Sequence, residues 1–146
     1  MTRIIDPSRQ CLHVRDWPAT DQTLWDKAFS PRDLEDDGRS PAAAWRSGSI
    51  QTNREGYGRW INFLARSGAD LAALPADRVT PGRVRSYLGE LRQQQLSIRT
   101  RCNRISQLLS VMLAIASDRD WSWLKRQFKY LNALAHENRQ QSPLPL

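Results

Sequence analysis

SIRTRCNRISQLLSVMLAIAS, residues 97–117, is the stretch whose reading decides the fold. Within it Ile98, Cys102, Ile105, Leu109, Met112 and Ala116 recur at alternating spacings of four and three. On a helix that rhythm gathers them into one seam, whereas a strand would need apolar residues at every second position. Ser97 offers an N-cap hydroxyl, so the pattern predicts a helix over residues 98–117. Leu108, Leu113 and Ile115 widen the seam towards its end.

Opposite the seam stand Arg99, Thr100, Asn103, Arg104 and Gln107, with Arg101 at the flank. Residues 99, 103 and 107 line up by steps of four, and 100 and 104 lie beside them, so the spacing predicts one broad polar face. These side chains are the ones that read DNA. Arg pairs with guanine, Asn or Gln pairs with adenine, and Thr reaches phosphate or a thymine methyl. The helix N-terminus adds free N–H groups and a positive dipole end suited to phosphate. No acid occurs between Glu90 and Asp118, while Arg92, Arg99, Arg101 and Arg104 do, so nothing on this face repels a polyanion. Arg99 and Asn103 are expected at base edges, and Arg101 and Arg104 at phosphates.

Three further helices follow from the same logic. Residues 50–67 place Tyr57, Trp60, Ile61 and Leu64 on one stripe, with Ser49 as cap and Gly68 as stop. Thr80-Pro81 opens a second helix that aligns Val84, Tyr87, Leu88 and Leu91. After Asp118 or Asp120 a last one aligns Trp121, Leu124, Phe128, Leu131 and Ala135. No period-2 alternation is sustained anywhere, and connections are short. The expected fold class is all-α, a compact four-helix bundle.

Residues 1–46 read as an N-terminal arm, with a short helix at 21–29 presenting Leu24, Trp25 and Phe29 and then an acidic linker around Asp33, Glu35, Asp36 and Asp37. Residues 47–137 form the main domain, and 138–146 a disordered tail. The net charge of +7 divides unevenly between these parts. Residues 1–47 carry 7 Lys/Arg against 8 Asp/Glu, a net of −1, and residues 48–146 carry 15 against 7, a net of +8. A basic domain of this kind favours a polyanionic partner. With no apolar run long enough to cross a bilayer and no signal-peptide core, the expected location is cytoplasmic, without membrane contact.

Enzyme chemistry fails on inventory. His13 and His136 are the only histidines, Cys11-Leu-His13 has no second cluster to complete a metal site, and Cys102 falls on a core seam. Gly56-Tyr-Gly58 lies inside an amphipathic helix and lacks the strand–turn–helix setting of a phosphate loop. No catalytic residue, metal or cofactor is expected. Trp60, Trp121, Tyr57 and Tyr87 fit core stripes better than a stacking platform.

The stretches GYGRWINFLARSG (56–68), RVTPGRVRSYLGEL (78–91) and SIRTRCNRISQLL (97–109) resemble, in order, three helices of the N-terminal core-binding domain of tyrosine recombinases and phage integrases. DRDWSWL (118–124) and Trp17-Pro18 with Asp21 and Trp25 are similar to segments of one bacterial subgroup. The resemblance covers about residues 15–135. It implies a SAM-like helical fold, a label that denotes architecture and not a methyl donor, and one half of a clamp around double-stranded DNA. Carried over by position, it implies contacts from Arg99, Thr100, Asn103 and Gln107, and from Gln51 and Thr52 near the start of the first helix. The family's catalytic arginines, lysine, histidines and nucleophilic tyrosine belong to a separate domain that this chain is expected to lack, and Tyr57, Tyr87 and Tyr130 match none of them. The resemblance therefore implies DNA binding in integration and recombination without strand cleavage. The implied partners are duplex DNA and a recombinase catalytic domain or other integrase protomers, the isolated domain being a monomer. The alternatives are a helical protein–protein module and a truncated integrase acting as a regulator.

Overall fold

The computed structural model describes residues 6–30 and 41–141, which contain helices and no strand. In chain order the helices are α1 (Ala19–Phe29), α2 (Ser47–Arg66), α3 (Pro75–Arg78), α4 (Pro81–Gln93), α5 (Ile98–Ile115) and α6 (Ser122–Gln141), with 3-10 turns at Pro7–Arg9, Val14–Asp16 and Pro41–Ala44. The all-α expectation holds.

Local chemistry sets the helix ends. Ser97 Oγ accepts from the Thr100 N–H at 3.1 Å, and Thr80 Oγ1 from the Arg83 N–H at 3.2 Å, each capping its helix. At the end of α2, Gly68 turns left-handed (φ 77°) and the Ala69 N–H returns to the Leu64 carbonyl. The end of α4 makes the same motif, but Gln95 takes the left-handed position (φ 61°) and the Leu96 N–H returns to Leu91.

α5 is the central helix and packs against α6, α2, α1, α4 and the 41–44 turn. Its predicted seam is buried from Cys102 through Ala116, and so are Leu108, Val111 and Ala114 outside it. Tyr57, Trp60, Ile61 and Leu64 of α2 are closed to solvent, as are Val84, Tyr87 and Leu91 of α4 and Leu124, Leu131 and Ala135 of α6. Leu88, Ile98 and Phe128 are half-buried at the margin. Trp123, off the predicted stripe, is half-buried beside Trp121.

The N-terminal segment departs from the expected arm. Trp17 and Trp25 join the main core, and the Trp17 ring meets Trp25 and Tyr57 edge-on at 5.4 and 5.1 Å. Beneath them Asp21 is fully buried. Its two carboxylate oxygens accept from Arg78 at 2.9 and 2.8 Å, and one also accepts from the Tyr57 hydroxyl at 2.6 Å. Burial alone would lower the Arg78 guanidinium, but the bonds and charge of Asp21 outweigh it and raise its pKa. The Asp21 position, legible only as a helix start, is thus the floor of a buried ion pair that ties α1 to α3. The acidic linker 33–37 lies outside the described residues. α6 runs on to Gln141, into the segment expected as a tail, and residues 142–146 are outside the described set.

Candidate nucleic-acid interface

The five α5 residues expected on one face, and Arg101 expected at its flank, are divided by the packing. Asn103 alone is exposed. Arg99 is half-buried and donates to Asn132 Oδ1 of α6 at 2.9 Å. Thr100 is half-buried and its hydroxyl bonds to Ser97 Oγ, inside the cap. Arg101 turns to the other flank of α6, into a pocket with Leu134, Glu137 and Asn138. Arg104 leans instead towards α2 and α4, where Arg59 and Tyr87 are its electrostatic neighbours. Gln107, expected on the outer face, is 9% exposed. It lies so close to α2 that a Cβ on Gly56 would sit 2.6 Å from the Gln107 Cβ. Helical spacing was read correctly, but a second helix covers that side.

The wall that Arg104 faces is built by α2 and by the chain that crosses it. Gly58 has no side chain because the Leu12 carbonyl would lie 2.3 Å from its Cβ. The Leu12 N–H donates to the Gly58 carbonyl, Asn62 Nδ2 to the Pro7 carbonyl, and Gln94 Nε2 to the Ser8 carbonyl. Residues 7–12 are thereby strapped across α2 towards the end of α4. On one side of the strap lies an open groove of about 670 Å3 lined by His13, Arg15, Gln51, Arg54, Glu55 and Arg59 among others. On the other lies a smaller cleft that shares Arg59 and adds Arg104 and Tyr87.

Several arginines of α2 and α5 are left without an ion pair: among the described residues Arg54, Arg59, Arg99, Arg101 and Arg104 make none. Arg66, Arg78 and Arg119, by contrast, hold Glu90, Asp21 and Asp77 at 2.6–2.8 Å. Burial lowers the pKa of Arg104, and the Arg59 charge lowers it further. Gln51 is exposed in the open groove and donates to Glu55 at 3.1 Å, and Thr52 is exposed beside it.

Arg54, Arg59 and Tyr87 did not emerge from the sequence as site residues. The steps of four through Gln51, Glu55 and Arg59 mark an outer stripe of α2. Nothing local, however, says that the N-terminal chain runs beside it or that Arg104 meets it.

Two of the three tyrosines, Tyr57 and Tyr87, are buried, whereas Tyr130 is exposed. Burial raises Tyr57 well above the ordinary phenol value, reinforced by Asp21, and burial pushes Tyr87 up to about 12. Among the described residues no group of His, Cys, Asp and Glu is placed to hold a metal ion. Cys11 and Cys102 are free thiols, and no described helix is long and apolar enough to cross a membrane. Comparison of the chain with protein-family models, curated proteins and solved structures finds no match.

Proposed function

We propose that this chain is a duplex-DNA-binding helical domain of the kind that forms half of the clamp in tyrosine recombinases, and that it cuts no DNA by itself. The observation that carries the reading is the set of arginines on α2 and α5 that no carboxylate neutralises. Clustered cations without counter-charge repel one another in the free protein and are offset when phosphates release their own counterions to meet them. Arg54, Arg59, Arg99 and Arg104 are assigned to backbone phosphates. Asn103, the exposed amide of α5, is the candidate for a base edge. The burial of Tyr57 and Tyr87 supports the absence of strand cleavage by those two hydroxyls.

The test is a titration of labelled duplex at several salt concentrations. Four phosphate contacts give a slope of log affinity against log salt of about −3.6, and each arginine replaced by alanine reduces it by about 0.9. Asn103→Ala should weaken a preferred site by about 1–3 kcal/mol and random duplex far less. Lys27→Ala on α1 serves as the control cation. A flat salt slope, or Arg54→Ala and Arg59→Ala binding like wild type, replaces this reading with that of a protein-interaction module.

A further inference from the structure

The smaller cleft, about 170 Å3 between the 7–12 strap, α2, α4 and α5, has an unusual chemistry. Arg59 and Arg104 reach it from two helices, and among the described residues neither has a hydrogen-bond or ion-pair partner. On the residues that line it, the Arg104 Nε–H and the Tyr87 hydroxyl are closed to solvent and unbonded. Tyr87, 2% exposed, keeps its proton at neutral pH, because burial raises it to about 12 despite the pull of Arg104 and Arg59. It is therefore a donor. The acids nearby are engaged elsewhere: Glu55 accepts from Gln51, Glu90 pairs with Arg66, and Asp6 sits 3.8 Å from Arg9. Two cations and two buried donors thus converge where no acceptor meets them, an arrangement that costs stability in the free protein.

We propose that this cleft binds a phosphate-type oxyanion. Arg59 and Arg104 grip its oxygens, and the Tyr87 hydroxyl and Arg104 Nε–H donate from behind as it seats. Guanidinium groups match the spacing of such oxygens and bind them with charge-assisted hydrogen bonds. The volume is below the roughly 300–1,000 Å3 of small-molecule sites, so the cleft takes a phosphate group and not a whole nucleotide. The inference goes beyond the DNA reading and does not require it, since the group can come from a duplex backbone or from a free phosphate compound.

The experiment is thermal unfolding of the full chain, followed by circular dichroism, with added sodium phosphate against sodium chloride at matched ionic strength. Phosphate should raise the midpoint beyond chloride. Arg59→Gln should weaken that response about tenfold or more and Tyr87→Phe by several-fold, as loss of a charged and of a neutral hydrogen bond predicts. Arg92→Gln, an exposed arginine on α4, should respond like wild type. A readout that needs no variant is the Arg104 Nε–H resonance, which should shift as phosphate is added. Labelled duplex then separates the sources. Competition with phosphate assigns the cleft to a DNA phosphate. A phosphate response without competition assigns it to a free phosphate compound, and absence of duplex binding sinks the DNA reading while leaving the cleft intact. Phosphate acting only as chloride does, or Arg59→Gln keeping the full response, overturns the proposal.

Discussion

Replacing Arg78 by methionine keeps most of the side-chain length and removes the charge. In the native protein Arg78 and Asp21 are 1% and 0% exposed, so neither charge can fall back on water. Arg78 also donates to the carbonyls of Leu71 and Ala73 at 2.9 and 2.7 Å. Its loss leaves the Asp21 carboxylate buried with only the Tyr57 hydroxyl as donor. Breaking a buried pair in this way costs about 3–5 kcal/mol, a large part of the roughly 5–15 kcal/mol that holds a domain together. Removing both charges, in Asp21→Leu with Arg78→Met, takes away the stranded carboxylate. The double variant should then lose less than Arg78→Met alone, the remainder reflecting the two carbonyls and the Tyr57 hydroxyl left without its acceptor, at about 1 kcal/mol each. Urea unfolding followed by tryptophan fluorescence reads this corner directly, because Trp17 and Trp25 pack over it. Circular dichroism should give the same midpoint if segment 6–30 unfolds with the body. A loss below about 1 kcal/mol for Arg78→Met, or a double variant worse than the single, would refute the buried pair as the lock on α1.

The same glycine-to-alanine change should have opposite signs at two helical sites. Gly89→Ala meets nothing within 4 Å and should raise the melting midpoint by the helix-propensity gain of about 1 kcal/mol, whereas Gly56→Ala collides with the Gln107 side chain and should lower stability by about 1–3 kcal/mol; equal signs would show that α2 and α5 are not in close contact. Gln95→Gly should stabilise by about 1 kcal/mol, because the left-handed turn that ends α4 then needs no Cβ; denaturant midpoints of Gln95→Gly and Gln95→Ala decide it, and no gain for glycine counts against this geometry. Stability should also fall at high pH. The unfolded tyrosine releases its proton near pH 10 while folded Tyr87 holds it to about 12, so Tyr87 alone takes away about 1.4 kcal/mol per pH unit across that window, and Tyr57, also raised, adds to the loss. Unfolding midpoints between pH 8 and 12 test this, and Tyr87→Phe should flatten the decline.

The four long helices were legible because each depends on neighbours in sequence, although α2 opens at Ser47, so that Ser49 lies inside it and does not cap it. The seam of α5, the Thr80-Pro81 start and the Gly68 stop are local signals, and the structure keeps all of them. Three features were not legible, and each depends on residues far apart. Asp21 meets Arg78 across 57 positions of chain and Tyr57 across 36. Gly56-Tyr-Gly58 read correctly as helix, but its glycines answer to Gln107 and Leu12, which no spacing within α2 announces. The polar face of α5 failed for a related reason. Periodicity shows which residues share a side of one helix, and it cannot show that a second helix will cover Gln107 or draw Arg104 inward.

That division of the face changes how DNA would be met on the proposed reading. A major groove about 12 Å wide admits a helix that projects from its domain. α5 does not project: α2 and α6 flank it, and among its six candidate side chains only Asn103 is exposed. On that reading a duplex would use the exposed Gln51, Thr52 and Arg54 of α2 in addition to Arg99 and Asn103 of α5. Contacts are then mostly between arginine and phosphate, which orient the domain without reading sequence. Affinity would be carried by charge and weakened steeply by salt, while one amide leaves little room for base discrimination. An interface of this composition suits a partner that holds DNA in place while specificity is supplied elsewhere.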